Sequence, residues 1–115
     1  MPYRRCLWIT RWDYRNPKDV EKIFYNAASI RCSDVFFQVR GAGTVFYPSR
    51  IEPWAWELTG AAPGSTGVGP GWDPLEIACK SARRYGLRIH AYLNVLPAWR
   101  HRTHDPPKRS GHVYK

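Results

Sequence analysis

Long apolar runs are missing from this sequence. No stretch of about 18 consecutive apolar residues occurs, so a membrane-spanning helix is not predicted. The first residues, MPYRRCLWITRW, contain two arginines but lack the apolar segment that a signal peptide requires. No signal peptide is therefore predicted, and the chain as it stands would be cytoplasmic.

Cysteine is scarce and follows no motif. The three cysteines, Cys6, Cys32 and Cys79, are widely spaced and form no CxxC, which favours reduced, small buried side chains over a disulfide or redox role. The histidines at 101, 104 and 112 match no metal-ligand spacing. The GAGTVF segment lacks the GxGxxG spacing of a phosphate-binding loop. We therefore predict no metal and no cofactor.

Acidic residues are few. The chain has 9 Asp and Glu against 18 Lys and Arg, a net charge of +9. Such a balance suits nucleic acid or an anionic surface. However, the charges are scattered, and no RNP, zinc-finger or helix-turn-helix pattern accompanies them. A small basic nucleic-acid-binding module is therefore an alternative and not the main interpretation, and residues 101–115 are predicted to be a basic, disordered tail.

Hydrophobic residues make up 43% of the chain and aromatic residues 15%, enough for the core of one domain. Strands are predicted at residues 6–12, 35–40 and 87–94. Helices are predicted to begin at Asn16-Pro17 and Asp73-Pro74, where a capping side chain precedes proline. Gly86 is predicted to end the second helix. Strands that alternate with helices predict an α/β fold with parallel strand pairing.

Polar side chains gather toward the carboxyl ends of these strands. In VFFQVR, Val35, Phe37 and Val39 share one face, whereas Gln38 and Arg40 share the other. One face of the third strand is polar and carries Arg88, His90, Tyr92 and Asn94. The alternation of the first strand is ambiguous, but Arg11 and Asp13 at its end are expected to face the site. Because α/β proteins bind ligands at this end of the sheet, we predict a site for a polyhydroxylated or anionic ligand. The alternative is that these side chains satisfy one another.

Residues 41–71 are predicted to form one long loop. Its first part is aromatic, and its second part, AAPGSTGVGPG, is small and flexible. The aromatic residues of the loops provide either flat faces for sugar rings or a small local core. They are Phe46, Tyr47, Trp54, Trp56 and, farther along the chain, Trp99. Glu52 and Glu57 are the carboxylates of the aromatic part, but nothing in the sequence places them across a glycosidic bond.

Four stretches together resemble the N-terminal portion of the glycosyl hydrolase-like 10 family, bacterial glycoside hydrolases with a (β/α)8 barrel. They are LWITRWDYRNPKDVEKIF, VFFQVRGAGTVFYPSRIEPWAWELTG, PGWDPLEIA and YGLRIHAYLNVLPAW, within about residues 4–100. The resemblance implies that six residues lie at the barrel mouth: Arg11, Asp13, Gln38, Arg40, His90 and Asn94. With Trp54, Tyr92 and Trp99, they are the predicted substrate-binding residues, and the implied partner is an oligo- or polysaccharide.

The resemblance also implies what this chain lacks. A full barrel needs about 250 residues, whereas this chain supplies about three of eight strands, a partial (β/α)8 barrel. Catalytic carboxylates of such barrels come largely from later strands, so no catalytic residue is assigned and the isolated chain is expected to be inactive. Unpaired sheet edges would favour self-association. A non-functional remnant is the remaining alternative, and proteins of this family are often exported.

Overall fold

A mixed four-stranded sheet forms the centre of the molecule. The computed structural model describes residues 4–58 and 69–95. The elements are β1 (Cys6–Ile9), α1 (Pro17–Ser29), β2 (Asp34–Gly41), β3 (Thr44–Val45), a 3-10 helix (Trp56–Leu58), α2 (Pro74–Tyr85) and β4 (Arg88–Leu93). Strand β2 pairs in parallel with β1 and with β4, and its end pairs antiparallel with β3. The α/β class and the predicted order of three parallel strands and two helices are confirmed.

Both helices begin as their sequences predict. The Asn16 side chain accepts a hydrogen bond from the Asp19 N–H at 2.9 Å, and the Asp73 side chain accepts one from the Glu76 N–H at 3.1 Å. These bonds satisfy backbone donors that have no partner within the helix. Gly86 ends α2 with φ of 71°, in the left-handed region that glycine adopts without strain.

One face of the sheet carries the core. Val35 and Phe37 of β2 are completely buried and pack with Val20 and Phe24 of α1 and with Ala78 of α2. Burial of each large apolar side chain contributes about 1.5–3 kcal/mol. The alternation predicted for β2 therefore determines which face lies under the helices.

The opposite face carries a row of rings that crosses the three parallel strands. Trp8 stacks on Phe36 with centroids 4.4 Å apart, and Phe36 stacks on His90 at 4.8 Å. Trp8 is 57% exposed, and most of β4 is also exposed. Within the described residues, no strand pairs with the outer edge of β1 or of β4. This face is therefore much less covered than the helix side.

Strand β1 is shorter than predicted. It ends at Ile9 instead of residue 12, because the chain turns where the Asp13 N–H donates to the Thr10 carbonyl at 3.1 Å. The Asp13 carboxylate holds this turn by accepting from the Thr10 N–H at 2.7 Å and from its hydroxyl at 3.0 Å. Arg11 consequently lies in a turn and not on a strand face.

The predicted long loop contains regular structure. Thr44 and Val45 form β3, Val45 also bridges to Trp54, and residues 56–58 form the 3-10 helix. Phe46 is completely buried, so for this residue the local-core interpretation is confirmed. Residues 59–68 and the predicted tail at 101–115 lie outside the described residues.

Two further expectations can be compared with the structure. Cys32 is buried and Cys79 partly buried, but Cys6 is exposed, so the expectation of burial is wrong for Cys6. Among residues 4–58 and 69–95, no helix has the length and hydropathy needed to cross a membrane.

Candidate functional site

Gln38 joins the ends of β1 and β2. Its side chain is buried, and its Oε1 accepts a hydrogen bond from the Arg11 backbone N–H at 2.8 Å. Its Nε2 donates to the Arg40 carbonyl at 3.3 Å. Both ends of the amide are therefore engaged within the protein, and Gln38 fixes the turn that carries Arg11.

Arg40 joins the ends of β2 and β4. Its Nε donates to both carboxylate oxygens of Glu52 at 3.0 and 2.8 Å, and its Nη2 lies 2.8 Å from Glu52 Oε2. Its Nη1 donates to the carbonyls of Asn94 and Val95 at 2.6 and 3.3 Å. The Asn94 N–H in turn donates to the Arg40 carbonyl at 3.0 Å. The guanidinium thus cross-links three segments.

Tyr92 also contributes a structural bond. Its hydroxyl donates to the Ile9 carbonyl at 3.1 Å, which connects β4 to β1 across the central strand. Its ring meets Trp8 edge-on, with centroids 5.0 Å apart. Burial raises the pKa of the Tyr92 hydroxyl, so this group stays a protonated donor.

His90 lies on the same face as Gln38 but farther from the strand ends. It pairs in register with Phe36 of β2, which precedes Arg40 by four residues. At the usual rise per residue of a strand, His90 is therefore about 13 Å from the level of Arg40. Its Nε2 lies 2.7 Å from Asp34 Oδ2. The Asp34 carboxylate accepts hydrogen bonds from Ser33 and His90, which lower its pKa, and the bond from Ser33 has the larger effect. The structure therefore places His90 in a pair near the start of β2 and does not bring it to the strand ends.

The remaining predicted residues are dispersed. The Asp13 carboxylate is engaged with Thr10 in the turn after β1. Trp54 is partly buried against the core and bridges to Val45, and Trp99 lies outside the described residues. Of the predicted set, Arg11 alone combines burial with a side-chain atom that lacks a hydrogen-bond partner within the described residues.

A cavity of about 140 Å³ lies at the carboxyl end of β1, between the turn that follows this strand and the 3-10 helix. Its lining comprises Arg11, Trp12, Tyr14, Arg15, Trp56 and Glu57. Arg11 Nε lies 3.5 Å from Glu57 Oε1, and these side chains are only 7% and 5% exposed. The pair is therefore a buried ion pair in the wall of this cavity.

Three buried polar atoms of this lining have no hydrogen-bond partner within the described residues. They are Arg11 Nε, Tyr14 Oη and Glu57 Oε2. A buried polar atom without a partner costs about 1–3 kcal/mol, and native proteins contain few of them. These three atoms are shielded from the cavity by their neighbours, so they lower the stability of the fold and offer no hydrogen bond to a group in the cavity.

Burial also alters the acid-base properties of the cavity. It raises the pKa of the Glu57 carboxyl, although the Arg11 charge partly opposes this effect. It raises the pKa of the Tyr14 hydroxyl as well, and the negative charge of Glu57 adds to that increase. Tyr14 is therefore a permanent hydroxyl at every physiological pH and can both donate and accept.

An aromatic pair borders the cavity. Trp12 is 58% exposed and meets Trp56 edge-to-face, with centroids 5.8 Å apart. The Arg11 guanidinium carbon lies 4.8 Å from the centroid of the Trp12 ring. The partly exposed Trp12 indole offers a ligand both an apolar face and a ring N–H.

Sequence reasoning did not select Trp12, Tyr14 or Glu57. The sequence suggests Glu57 only as a possible catalytic carboxylate, because nothing local connects it with Arg11. Gly41 is the one sequence feature near this site that relates to Arg11: a Cβ at position 41 would clash with Arg11 Nη1 and displace the guanidinium from its observed position.

Comparison with known proteins gives a match over most of the chain. The family model described as Glycosyl hydrolase-like 10 matches residues 4–105. "Glycosyl hydrolase DigH" of Escherichia coli strain K12, of Escherichia coli O157:H7 and of Shigella flexneri are each 42% identical to this chain over 60 residues. The match covers 52% of this chain and 13% of each relative, so the chain spans a small part of these proteins.

Proposed function

Since this chain belongs to the glycosyl hydrolase-like 10 family, we propose that it forms part of a carbohydrate-active (β/α)8 barrel and supplies a section of its sugar-binding wall. The parallel strands β1, β2 and β4, with the helices packed on one face, support this interpretation. The opposite face would then line the barrel interior, and the strand ends would lie at its mouth.

The cavity beside Arg11 is the observation that carries the proposal. Sugars present hydroxyl groups that donate and accept, together with apolar C–H faces. The exposed indole of Trp12 suits a C–H face, and the exposed guanidinium of Arg15 in the same lining suits the hydroxyl groups. Most of the other predicted binding residues then support the site through their internal hydrogen bonds.

We propose binding without turnover for this chain alone. Glycoside hydrolysis generally requires two carboxyl groups on either side of the scissile bond. Both carboxylates of the aromatic segment already have cationic partners, Glu52 with Arg40 and Glu57 with Arg11. Release of reducing sugar by the purified chain, lost on mutation of Glu52 or Glu57, would contradict this part of the proposal.

Tryptophan fluorescence tests the binding. The ligands to titrate are soluble hexasaccharides of glucose, xylose, mannose and N-acetylglucosamine, with α- and β-linkages. We expect at least one of them to change the tryptophan emission, with an affinity that depends little on salt concentration. Trp12→Ala should abolish this response, whereas Trp8→Ala, a matched indole deletion on the sheet face, should retain it. Failure of every glycan to bind would refute the proposal, and tight binding of a single-stranded oligonucleotide that weakens steeply with salt would favour the nucleic-acid alternative.

A further inference from the structure

We infer that the amino-terminal edge of the parallel sheet is a surface that associates with an anionic lipid bilayer. Strands β1, β2 and β4 begin at this edge, and both helices end there, because each helix leads into a parallel strand. The eight residues of β2 separate it from the carboxyl ends of the strands by about 25 Å at the usual rise of a strand. The surface is therefore distinct from the Arg11 cavity, and the inference does not depend on the proposed function.

The fold gathers at this edge arginines that are scattered along the sequence. The Arg5 carbonyl accepts from the Ser33 N–H at 2.8 Å, and the Arg88 N–H donates to the Ser33 carbonyl at 3.0 Å. The three segments that enter the strands therefore lie side by side, and each carries exposed arginine. This basic edge comprises Arg4 and Arg5 before β1, Arg31 before β2, and Arg83, Arg84 and Arg88 at the turn into β4.

The basic edge accounts for the whole net charge of the described residues. These residues contain 13 Lys and Arg against 8 Asp and Glu, and outside the edge the two signs are equal at seven each. The one carboxylate at the edge, Asp34, is buried and lies 2.7 Å from His90 Nε2. None of the six arginines has an ion-pair partner within residues 4–58 and 69–95. Each helix dipole adds only about half a negative charge at its end, too little to offset six cations.

The backbone at Arg31 also favours a role for these side chains. Arg31 has a φ of 62° and is the one residue other than glycine with a positive φ in the part of the chain that the structure describes. Glycine adopts this left-handed conformation without strain, whereas a residue with a Cβ does not. The position therefore contributes an exposed cation where glycine would be the less strained residue.

An apolar residue among these arginines indicates which anion fits. Ile30 is 57% exposed, and its carbonyl accepts from Arg5 Nη1 at 2.8 Å. Arginine binds phosphate oxygens in pairs, and an aliphatic side chain beside it can enter the boundary between headgroups and acyl chains. Nucleic acid also offers phosphates, but its bases stack on free aromatic faces, and the Tyr85 ring at this edge lies under the Arg84 guanidinium, 5.4 Å from the ring centroid. An anionic bilayer therefore fits both the charge and the isoleucine.

Flotation of the full chain with lipid vesicles tests this inference. The vesicles contain phosphatidylcholine alone or equal parts of phosphatidylcholine and phosphatidylglycerol, and we expect binding to the mixed vesicles only, weakening as salt rises. A triple variant, Arg31→Gln, Arg83→Gln, Arg88→Gln, should bind roughly a hundredfold more weakly, as three lost cations at an anionic surface predict. Ile30→Ser should bind about tenfold more weakly through loss of apolar burial. Should the triple variant fail to fold, Arg83→Gln alone decides, with an expected loss of about fivefold.

The matched control removes three exposed cations away from the basic edge: Lys18→Gln, Lys22→Gln, Arg50→Gln. It should retain most of the binding. Both triple variants keep the basic sequence at 100–115, so the difference between them reports the edge alone. Equal losses in the two triple variants, or no binding of the unmodified chain to mixed vesicles, would overturn the inference. It would also be overturned if Ile30→Ser had no effect and a duplex oligonucleotide bound as tightly as the vesicles, because the edge would then be a nucleic-acid surface.

Discussion

Replacement of Arg11 by methionine should destabilise this protein severely, because it leaves the Glu57 carboxylate buried without its cation. At 3.5 Å and an effective dielectric constant of about 20, the attraction is about 5 kcal/mol, offset in part by the cost of burying Arg11 itself. Breaking a buried pair on one side typically costs about 3–5 kcal/mol. Since small domains are stable by about 5–15 kcal/mol, this is a large share of the total.

Urea denaturation followed by tryptophan fluorescence measures the effect. The double variant Arg11→Met, Glu57→Gln should recover at least about 2 kcal/mol of the loss, because the buried charge is then gone. The free energy of unfolding should also depend on pH. The folded pKa of Glu57 lies above its ordinary value of 4.5, so its contribution to stability is largest below that value and falls as pH rises through the folded pKa.

Removal of Arg11 should steepen that decline, because the cation that opposes the pKa increase is lost. Glu76→Gln, at an exposed pair, should change the stability by less than about 1 kcal/mol. A cost below about 1 kcal/mol for Arg11→Met, with no recovery in the double variant and no change in pH dependence, would show that the cavity does not hold a buried ion pair.

Three further predictions concern other parts of the structure. Gly41→Ala should clash with Arg11, lower the unfolding free energy by about 1–3 kcal/mol and weaken sugar binding; unchanged binding would mean that Arg11 need not hold its observed position. Asn16→Ala should cost about 1 kcal/mol in urea denaturation through loss of the α1 cap, and Asn16→Asp should retain most of it; equal losses would contradict the capping role. The unpaired edge of β4 should cause self-association in sedimentation velocity that Leu93→Lys reduces; a monomer at all concentrations would count against an open edge.

Local signals in the sequence determine much of this fold. The helix ends are determined over a few residues, by the capping side chains Asn16 and Asp73 and by the terminal Gly86. They can therefore be predicted without tertiary information. The alternation in VFFQVR is likewise local, and it correctly separates Phe37 on the helix side from Gln38 on the open side. Each of these signals depends on backbone geometry that neighbouring residues already specify.

Other features depend on competition or distance. The β-formers of CLWITRW continue through Trp12, but the hydrogen bonds between Thr10 and Asp13 turn the chain earlier and place Arg11 beside a cavity. The partner of Arg11 is Glu57, which belongs to a later 3-10 helix, and no periodic pattern connects the two. Polarity alone also does not distinguish Gln38, whose hydrogen bonds are internal, from Arg11, which retains an unpartnered atom.

The position of a bound sugar is the most direct test of the account. NMR chemical shifts of the Arg11 Nε–H and of the indole N–H groups are recorded while the strongest-binding hexasaccharide is added. The account predicts that the Arg11 and Trp12 signals move together and saturate with the affinity measured by fluorescence. It would be contradicted if the sugar bound with that affinity and moved the indole N–H signal of Trp8 while the signals of Arg11 and Trp12 stayed in place.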